Sequence, residues 1–360
     1  MKIIHTADIH ICSAIKNLPK EKARQRRSEG LTALRYLCKY AQENQVAAVL
    51  ICGDLFDESS VPQSVVKETL SVLSSAPDVL FFYCQGNHDQ QAALIDDLPK
   101  NLLLFNDAHG WKSYDIGENI TVTGIDGEYL TSEAYTRLRL MQTSYNIVMA
   151  HGELSTLCGK DRVCLPMLQN KHIDYLALGH IHNPDRALQK LDARGSYRYS
   201  GCLFSRGFDE CGQKGFYEIE LKKGRILSEK LITIPTVRAV NAYLVDVSAC
   251  QTAAQLESAV LSSLQNQGAD DVIKVVLKGS CLSSLKKHFY PLELLLNRQF
   301  FYCKLVDQTT PQRQQTERLQ NSPILSEFAR LIDSNAELGP QKEELLEIAF
   351  KALSGEELEI

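Results

Sequence analysis

Eight polar side chains in the first half of this chain each sit just past the end of a short apolar run. They are Asp8, His10, Asp54, Asn87, His88, His151, His180 and His182. The runs with their endings read KIIHTADIH, VAAVLICGD, VLFFYCQGNHD, NIVMAH and DYLALGHIH. Five of the nine histidines fall in this set, which argues against random scatter. Imidazole, carboxylate and carboxamide donors with no cysteine among them suit a hydrolytic metal centre better than a structural zinc site.

The spacing says how such a centre could be assembled. Asp8 and His10 alternate along what reads as an extended segment, so both are expected on one side of it, and His180 and His182 likewise. Asp54 follows Gly53 and Asn87 follows Gly86, glycines that let the backbone turn after a strand. Two divalent ions about 3.5–4 Å apart need a bridging carboxylate and separate terminal donors. Asp54 is the natural bridge. Asp8, His10 and His182 could hold one ion, and Asn87, His151 and His180 the other. Histidine-rich donors favour manganese, iron, zinc or nickel over calcium and magnesium. Two dications bring four positive charges, while Asp8, Asp54 and a bridging hydroxide return three. The net single positive charge suits a phosphodiester. Each motif alone is weak. A G-N-H-D after an apolar run is more telling, and all five in this order carry the argument.

The elements that must hold these residues alternate as strand, helix, strand. Residues 46–52 and 79–84 are continuous apolar runs, as expected of strands buried on both faces. Residues 22–44 carry Leu31, Leu34, Leu37 and Ala41 on one helical stripe, and a second helix opens near Pro62. This βαβ pattern implies parallel pairing. After about residue 115, ITVTGI, NIVMA, YRYSG, FYEIEL and ILSEKLITI read as strands, with LKKGRI as a turn between neighbours. One mixed sheet is therefore expected to face another, with helices outside. From Val240 a compact α+β unit follows: a strand, a helix over 252–265, the strand VIKVVLKG, a helix over 291–298 and the strand FFYCKLVD. The polar run 309–322 reads as a linker. ILSEFARLI and KEELLEIAFKAL then resemble a helical hairpin, with Leu325, Phe328 and Leu331 on one apolar face and Leu345, Ile348 and Leu353 on the other.

Bulk properties narrow the rest. The length of 360 residues exceeds most single domains. A formal net charge of −5 leaves no global cationic field to hold nucleic acid. The eleven cysteines lie singly, with no C-x-x-C pair. No run approaches the ~20 residues of a membrane span, and no apolar signal core opens the chain, so a reducing cytoplasm is the expected compartment. Lys20, Lys22, Arg24, Arg26 and Arg27 cluster on one helix and read as a solvated face. Lys160 and Arg162, soon after His151, and Arg206 are candidates to meet a phosphate backbone. His5, His109, His172 and His288 read as structural, and Trp111 and Phe81–Phe82–Tyr83 as core.

D-x-H, G-D, G-N-H-D, H and G-H-x-H in this order resemble the calcineurin-like metallophosphoesterase superfamily. HTADIH, GDLFD (53–57) and YSGCLFSRGFDECGQKGFYEIEL (199–221) are similar to one branch of it, the SbcD-type DNA repair exonucleases. The resemblance covers nearly the whole chain. It implies a four-layer αββα sandwich of two mixed sheets over 1–236, a small α+β capping domain over 237–308, and a linker and helical hairpin over 309–360 that docks an SMC-like ATPase. It implies a manganese-dependent nuclease acting on DNA, often a homodimer. It assigns Asp8, His10, Asp54 and His182 to one metal and Asp54, Asn87, His151 and His180 to the other. His88 becomes a catalytic histidine outside the ligand set. Asp57 stands where archaeal and eukaryotic relatives carry histidine, which makes it a substrate-positioning candidate. A phosphatase or nucleotide phosphodiesterase on the same dinuclear site is the alternative, and a scaffold for an ATPase a third reading.

Overall fold

The computed structural model describes residues 1–13, 18–57, 61–89, 98–105, 110–159, 161–222, 224–311 and 323–334, with 345, 348, 349 and 352. Two units are distinguished by their internal contacts. The first comprises Met1–Ala242, Gly268–Lys274 and Asn297–Cys303, and the second Tyr243–Gln267, Val275–Leu296 and Lys304–Ile360.

In the first unit the strands are β1 (Lys2–Thr6), β2 (Ala48–Cys52), β3 (Leu80–Cys84), β4 (Leu102–Leu104), β5 (Lys112–Asp115), β6 (Ile120–Gly124) and β7 (Tyr145–His151). There follow β8 (Glu153–Ser155), β9 (Arg162–Cys164), β10 (Tyr175–Gly179), β11 (Gln189–Lys190), β12 (Ser196–Tyr199), β13 (Gly215–Leu221) and β14 (Ile226–Thr233). One sheet has the order β14-β13-β1-β2-β3-β4, the other β11-β12-β10-β7-β6-β5. Each has a parallel centre and an antiparallel edge. In the first, β1 to β4 run parallel, and β13 and β14 form the antiparallel edge. In the second, β6, β7, β10 and β12 run parallel, flanked by β5 and β11.

Side-chain alternation along each strand sorts residues into layers. Ala48, Leu50 and Cys52 of β2 join Ile147 and Met149 of β7, and Tyr175 and Ala177 of β10, in a core between the sheets. Val49 and Ile51 turn the other way, onto Leu34, Leu37, Leu70 and Leu73. Those leucines belong to α2 (Glu29–Glu43) and α3 (Gln63–Ser74), which come after α1 (Lys20–Arg27). On the far side Val148, Ala150, Leu176 and Leu178 pack with Ala134 and Tyr135 of α4 (Ser132–Arg137) and Leu168 of α5 (Leu165–Leu168). The result is four layers, helix, sheet, sheet, helix, as the strand pattern requires. Continuous apolar runs are explained by burial of both strand faces.

Some details depart from expectation. The helix expected over 22–44 is two helices meeting at Ser28. Its basic cluster is not uniformly solvated. Arg26 is fully buried, pairing with Glu29 at 2.6 Å and donating to the Ser205 carbonyl, because a guanidinium can satisfy several acceptors at once. Lys20, Arg24 and Arg27 are exposed.

A three-stranded sheet has the order Val240–Asp246, Val272–Cys281, Tyr302–Pro311, and the second unit takes up its strands from Tyr243, Val275 and Lys304 onward. A helix over Ala253–Ser263 opens with a capping box, Thr252 and Gln255 each bonding the other's backbone N–H. A strand running to Pro311 overrides the linker expected from 309, and 312–322 lies outside the described residues. The first hairpin segment is a helix over Pro323–Ser334, but Phe328 and Leu331 are exposed while Ala329 and Ile332 are buried. The buried stripe is thus shifted by one residue from the one expected. The side chain of Leu325 lies outside what is described, and so does most of the second segment, Leu353 included.

Candidate metal centre

The donor-bearing loops all leave the carboxyl ends of parallel strands, where open sheets display functional side chains. Asp8 and His10 follow β1, Asp54 follows β2, and Asn87 and His88 follow β3. His151 ends β7, and His180 and His182 follow β10. Strand register lines these ends up: Cys52 lies beside Cys84 and His151 beside Gly179. Three stretches from one sheet therefore meet two from the other.

Asp8 and His10 do not alternate along a strand, as their spacing suggested. β1 stops at Thr6, and both residues take left-handed backbone, φ 51° and 48°. Asp54 and His180 also have positive φ, 51° and 105°. Such conformations are costly for residues with a Cβ and persist where the surroundings over-determine them. Backbone bonds do so here: Asp8 N–H donates to the Gly53 carbonyl at 3.0 Å and His10 N–H to the Asp54 carbonyl at 2.9 Å. Gly53 has φ 87° and makes the turn foreseen for it, and a Cβ there would overlap the His151 ring. Gly86 serves differently, because its φ is ordinary but a Cβ would collide with the Asp54 carboxylate.

Donor atoms converge in two groups that share Asp8. Asp8, His10 and His182 each offer an atom within 4.8 Å of the others, and so do Asp8, Asp54 and His151. His10 Nε2 is 3.3 Å from His182 Nε2. His151 Nε2 is 2.9 Å from Asn87 Oδ1, and His180 Nδ1 is 3.3 Å from the same oxygen. Asp54 Oδ2 stands between the groups, 3.8 Å from His10 Nε2 and 3.4 Å from His151 Nε2. Its Oδ1 accepts from the His88 N–H at 2.9 Å. Asp8 is oriented by the His180 N–H, which donates to both its oxygens at 3.1 and 3.0 Å.

The arrangement fits two cations. Imidazole nitrogens face each other across a short gap with only lone pairs to offer unless a cation or proton lies between them. Two of the opposite nitrogens bond acceptors, as ligating histidines require: His151 Nδ1 the Cys52 carbonyl at 2.9 Å and His182 Nδ1 Glu210 Oε1 at 2.7 Å. His10 Nδ1 lies 2.9 Å from Asp57 Oδ1, an ion-pair distance without hydrogen-bond geometry.

Electrostatics agree. Burial would raise the Asp54 carboxyl, but the bond and charge of His151, with His10 and the His88 N–H, outweigh it and hold it below the ordinary range. Burial would lower His151, but Asp54 and Asp8 outweigh that and push it up to about 9. Burial and the His151 charge lower His180. Positive charge is thus demanded where Asp54 and His151 meet, and a proton on His151 competes with a cation for Nε2.

Other expected residues are placed differently. His88 is exposed and lies outside those two groups, but it converges with His10 and Asp57 in a third, its ring centroid 5.2 Å from that of His10. Asp57 and Arg206, read as substrate contacts, pair with each other at 2.8 Å behind the donors. Arg162 is exposed at the start of β9. Lys160 and His109 lie outside the described residues. His5 is fully buried and bonds the Tyr175 hydroxyl at 2.7 Å.

Two residues escaped the sequence reading. Asp89 accepts from Phe56 N–H and Gly86 N–H, both at 2.9 Å, and so ties the Asp54 loop to the Asn87 loop. Glu210 backs His182, and although burial would raise its carboxyl, His182 and Arg206 hold it well below the usual range. Their only signal was that each closes a motif already noticed, G-N-H-D and SRGFDE.

Residues 1–184 match the family of calcineurin-like phosphoesterases. The metallophosphoesterase YhaO of Bacillus subtilis is 26% identical over 300 residues, which are 78% of this chain and 72% of that protein. The DNA double-strand break repair protein Mre11 of Aeropyrum pernix is 25% identical over 238 residues, 59% of this chain and 56% of that protein. A subunit of the nuclease SbcCD from Escherichia coli is 23% identical over 308 residues, 71% of this chain and 74% of that protein. This chain thus spans little more than half the length of the archaeal relative.

Proposed function

The chain belongs to the calcineurin-like phosphoesterase family, and from that premise we propose that this metal-dependent phosphoesterase is a DNA nuclease. The observation that carries the two-metal chemistry is the single Asp54 oxygen lying between His10 Nε2 and His151 Nε2. Support for DNA as substrate comes from the likeness to a double-strand break repair protein and to part of a nuclease.

Asp8, His10, Asp54 and His182 would hold one ion, and Asp54, Asn87, His151 and His180 the other. Manganese is the proposed metal. When bound, two such ions supply Lewis acidity at phosphorus and an activated water nucleophile. The chain's own residues set the geometry. Asp54 fixes the spacing of the two donor groups, and its other oxygen holds the His88 backbone in place. The exposed His88 ring is placed to carry a proton to the leaving oxygen or to support phosphate charge. Its Nδ1 lies 3.3 Å from the Asp57 carbonyl, an acceptor that favours a proton on that nitrogen.

An SMC-like ATPase is the proposed partner. That the Escherichia coli relative is one component of a larger nuclease supports this, as does the helix Pro323–Ser334 with Ile324, Phe328 and Leu331 exposed. Dimerisation of the chain is proposed on the resemblance alone. No helix among the described residues is long and apolar enough to cross a membrane.

The test is manganese-dependent digestion of linear duplex and hairpin DNA beside a small aryl phosphodiester, with Asp54→Asn as control. Cleavage of DNA by the wild type alone is expected. Hydrolysis of the aryl ester with DNA left intact would favour a phosphatase or nucleotide phosphodiesterase instead.

A further inference from the structure

The two halves of the centre are braced by different chemistry. Behind His10 and His182 stand ionisable carboxylates, Asp57 and Glu210, at 2.9 and 2.7 Å from the outward nitrogens. One guanidinium joins these carboxylates. Arg206 donates from Nη1 to Asp57 Oδ1 at 2.8 Å, and from Nε and Nη2 to Glu210 Oε1 at 3.0 and 2.7 Å. Its backbone N–H donates to Glu210 Oε2 at 2.7 Å, and its Nη2 lies 3.2 Å from His182 Nδ1. Glu210 is only 3% exposed, so this is a built network and not a passing surface contact. The other half is braced without a carboxylate. His151 bonds a neutral backbone carbonyl, and His180 turns its Nδ1 inward to Asn87.

We propose that Asp57, Arg206 and Glu210 form a positioning clamp that makes the His10/His182 half the tighter of the two ion sites, an inference that rests on the dinuclear reading above. A carboxylate behind an imidazole fixes its tautomer and raises the basicity of the ligating nitrogen, and a neutral carbonyl does so less. The clamp also carries a net charge of minus one, from two carboxylates and one guanidinium, beside one half only. The planar fork of Arg206 holds both carboxylates in their outward positions, so neither swings inward to displace an imidazole. This gives Asp57 a role the sequence did not suggest, that of orienting a donor.

The test is titration of the metal-free full-length chain with Mn2+, followed by calorimetry and by the electron paramagnetic resonance signal of the paired ions. The wild type should take two ions with separable affinities. Glu210→Gln, which keeps shape and loses charge, and Arg206→Lys, which keeps charge and loses the fork, should each weaken the tighter ion by about 10-fold or more. The weaker ion should stay within about twofold. In an Asn87→Ala background, which cripples the other half, the remaining ion should still show the Glu210→Gln loss. A merely structural role would weaken both ions together and lower the thermal midpoint of the metal-free protein. Equal weakening, no weakening, or weakening of the looser ion alone would overturn the clamp. A wild type that takes a single ion would overturn the dinuclear reading and this inference with it.

Discussion

Asp54 stands between the two donor groups, since one of its oxygens faces an imidazole from each. Asp54→Asn puts an amide where a shared carboxylate stood, so metal stoichiometry should drop and turnover fall by at least about 100-fold, comparable to removing one electrostatic stabiliser. His88→Ala should behave oppositely: both ions stay, measured by elemental analysis, while kcat falls about 10²- to 10⁴-fold, the usual worth of a general acid. Loss of metal in that variant would move His88 into the ligand set. His151 gives the centre its pH dependence. Its value in the fold, about 9, lies above the ordinary 6.5, so its pairing with Asp54 contributes stability that is complete below about 6.5 and is lost as pH rises through 9. The metal-free protein should therefore lose thermal midpoint between pH 6.5 and 9, while Mn2+ affinity climbs over the same span as the competing proton leaves. The spacing argument alone could not see that His151 would be enclosed beside two carboxylates. A midpoint flat across this range would refute the account.

At the scale of elements, the alternating apolar runs were enough to foretell two mixed sheets, because a strand buried on both faces has little choice of residue. The antiparallel pair β13–β14 was legible from its turn, and the helices from stripes such as Leu34, Leu37 and Ala41. What the sequence withheld was loop conformation. Asp8 and His10 look like strand residues by spacing, yet tertiary hydrogen bonds bend them into left-handed backbone. Gly86 looked like a turn glycine, and its actual role, making room for Asp54, depends on a loop about thirty residues away. The distinction can be measured. Gly86→Ala should leave the fold assembled but weaken Mn2+ binding at least about 10-fold, as an outer-shell defect does. Gly117→Ala, at a φ of 87° with nothing nearby, should cost about 1–2 kcal/mol of stability and leave metal binding unchanged. Equal metal affinities in the two variants would show that strand-end crowding is not what matters at position 86.

For the whole molecule, the formal charge of −5 is no obstacle to an anionic substrate, because the attraction is concentrated where the cations bind. Ions held there would also join two sheets: Asp8, Asp54 and Asn87 hang from one, His151 and His180 from the other. Metal at about 100 times its dissociation constant should raise stability by about 2.7 kcal/mol per site, and a chelator should reverse this, read as a shift in thermal midpoint. No shift on chelation would mean that the loops hold their shape unaided. The four donors at positive φ give the same coupling a further consequence. Each stores about 1 kcal/mol or more that an unloaded chain would release by accepting glycine at position 8, 10, 54 or 180. A library screened only for heat resistance in chelator would enrich those replacements and discard the catalyst in the process. Durability and competence are set against each other in this protein at the very residues that define it, and any effort to harden it must keep the metal in the selection.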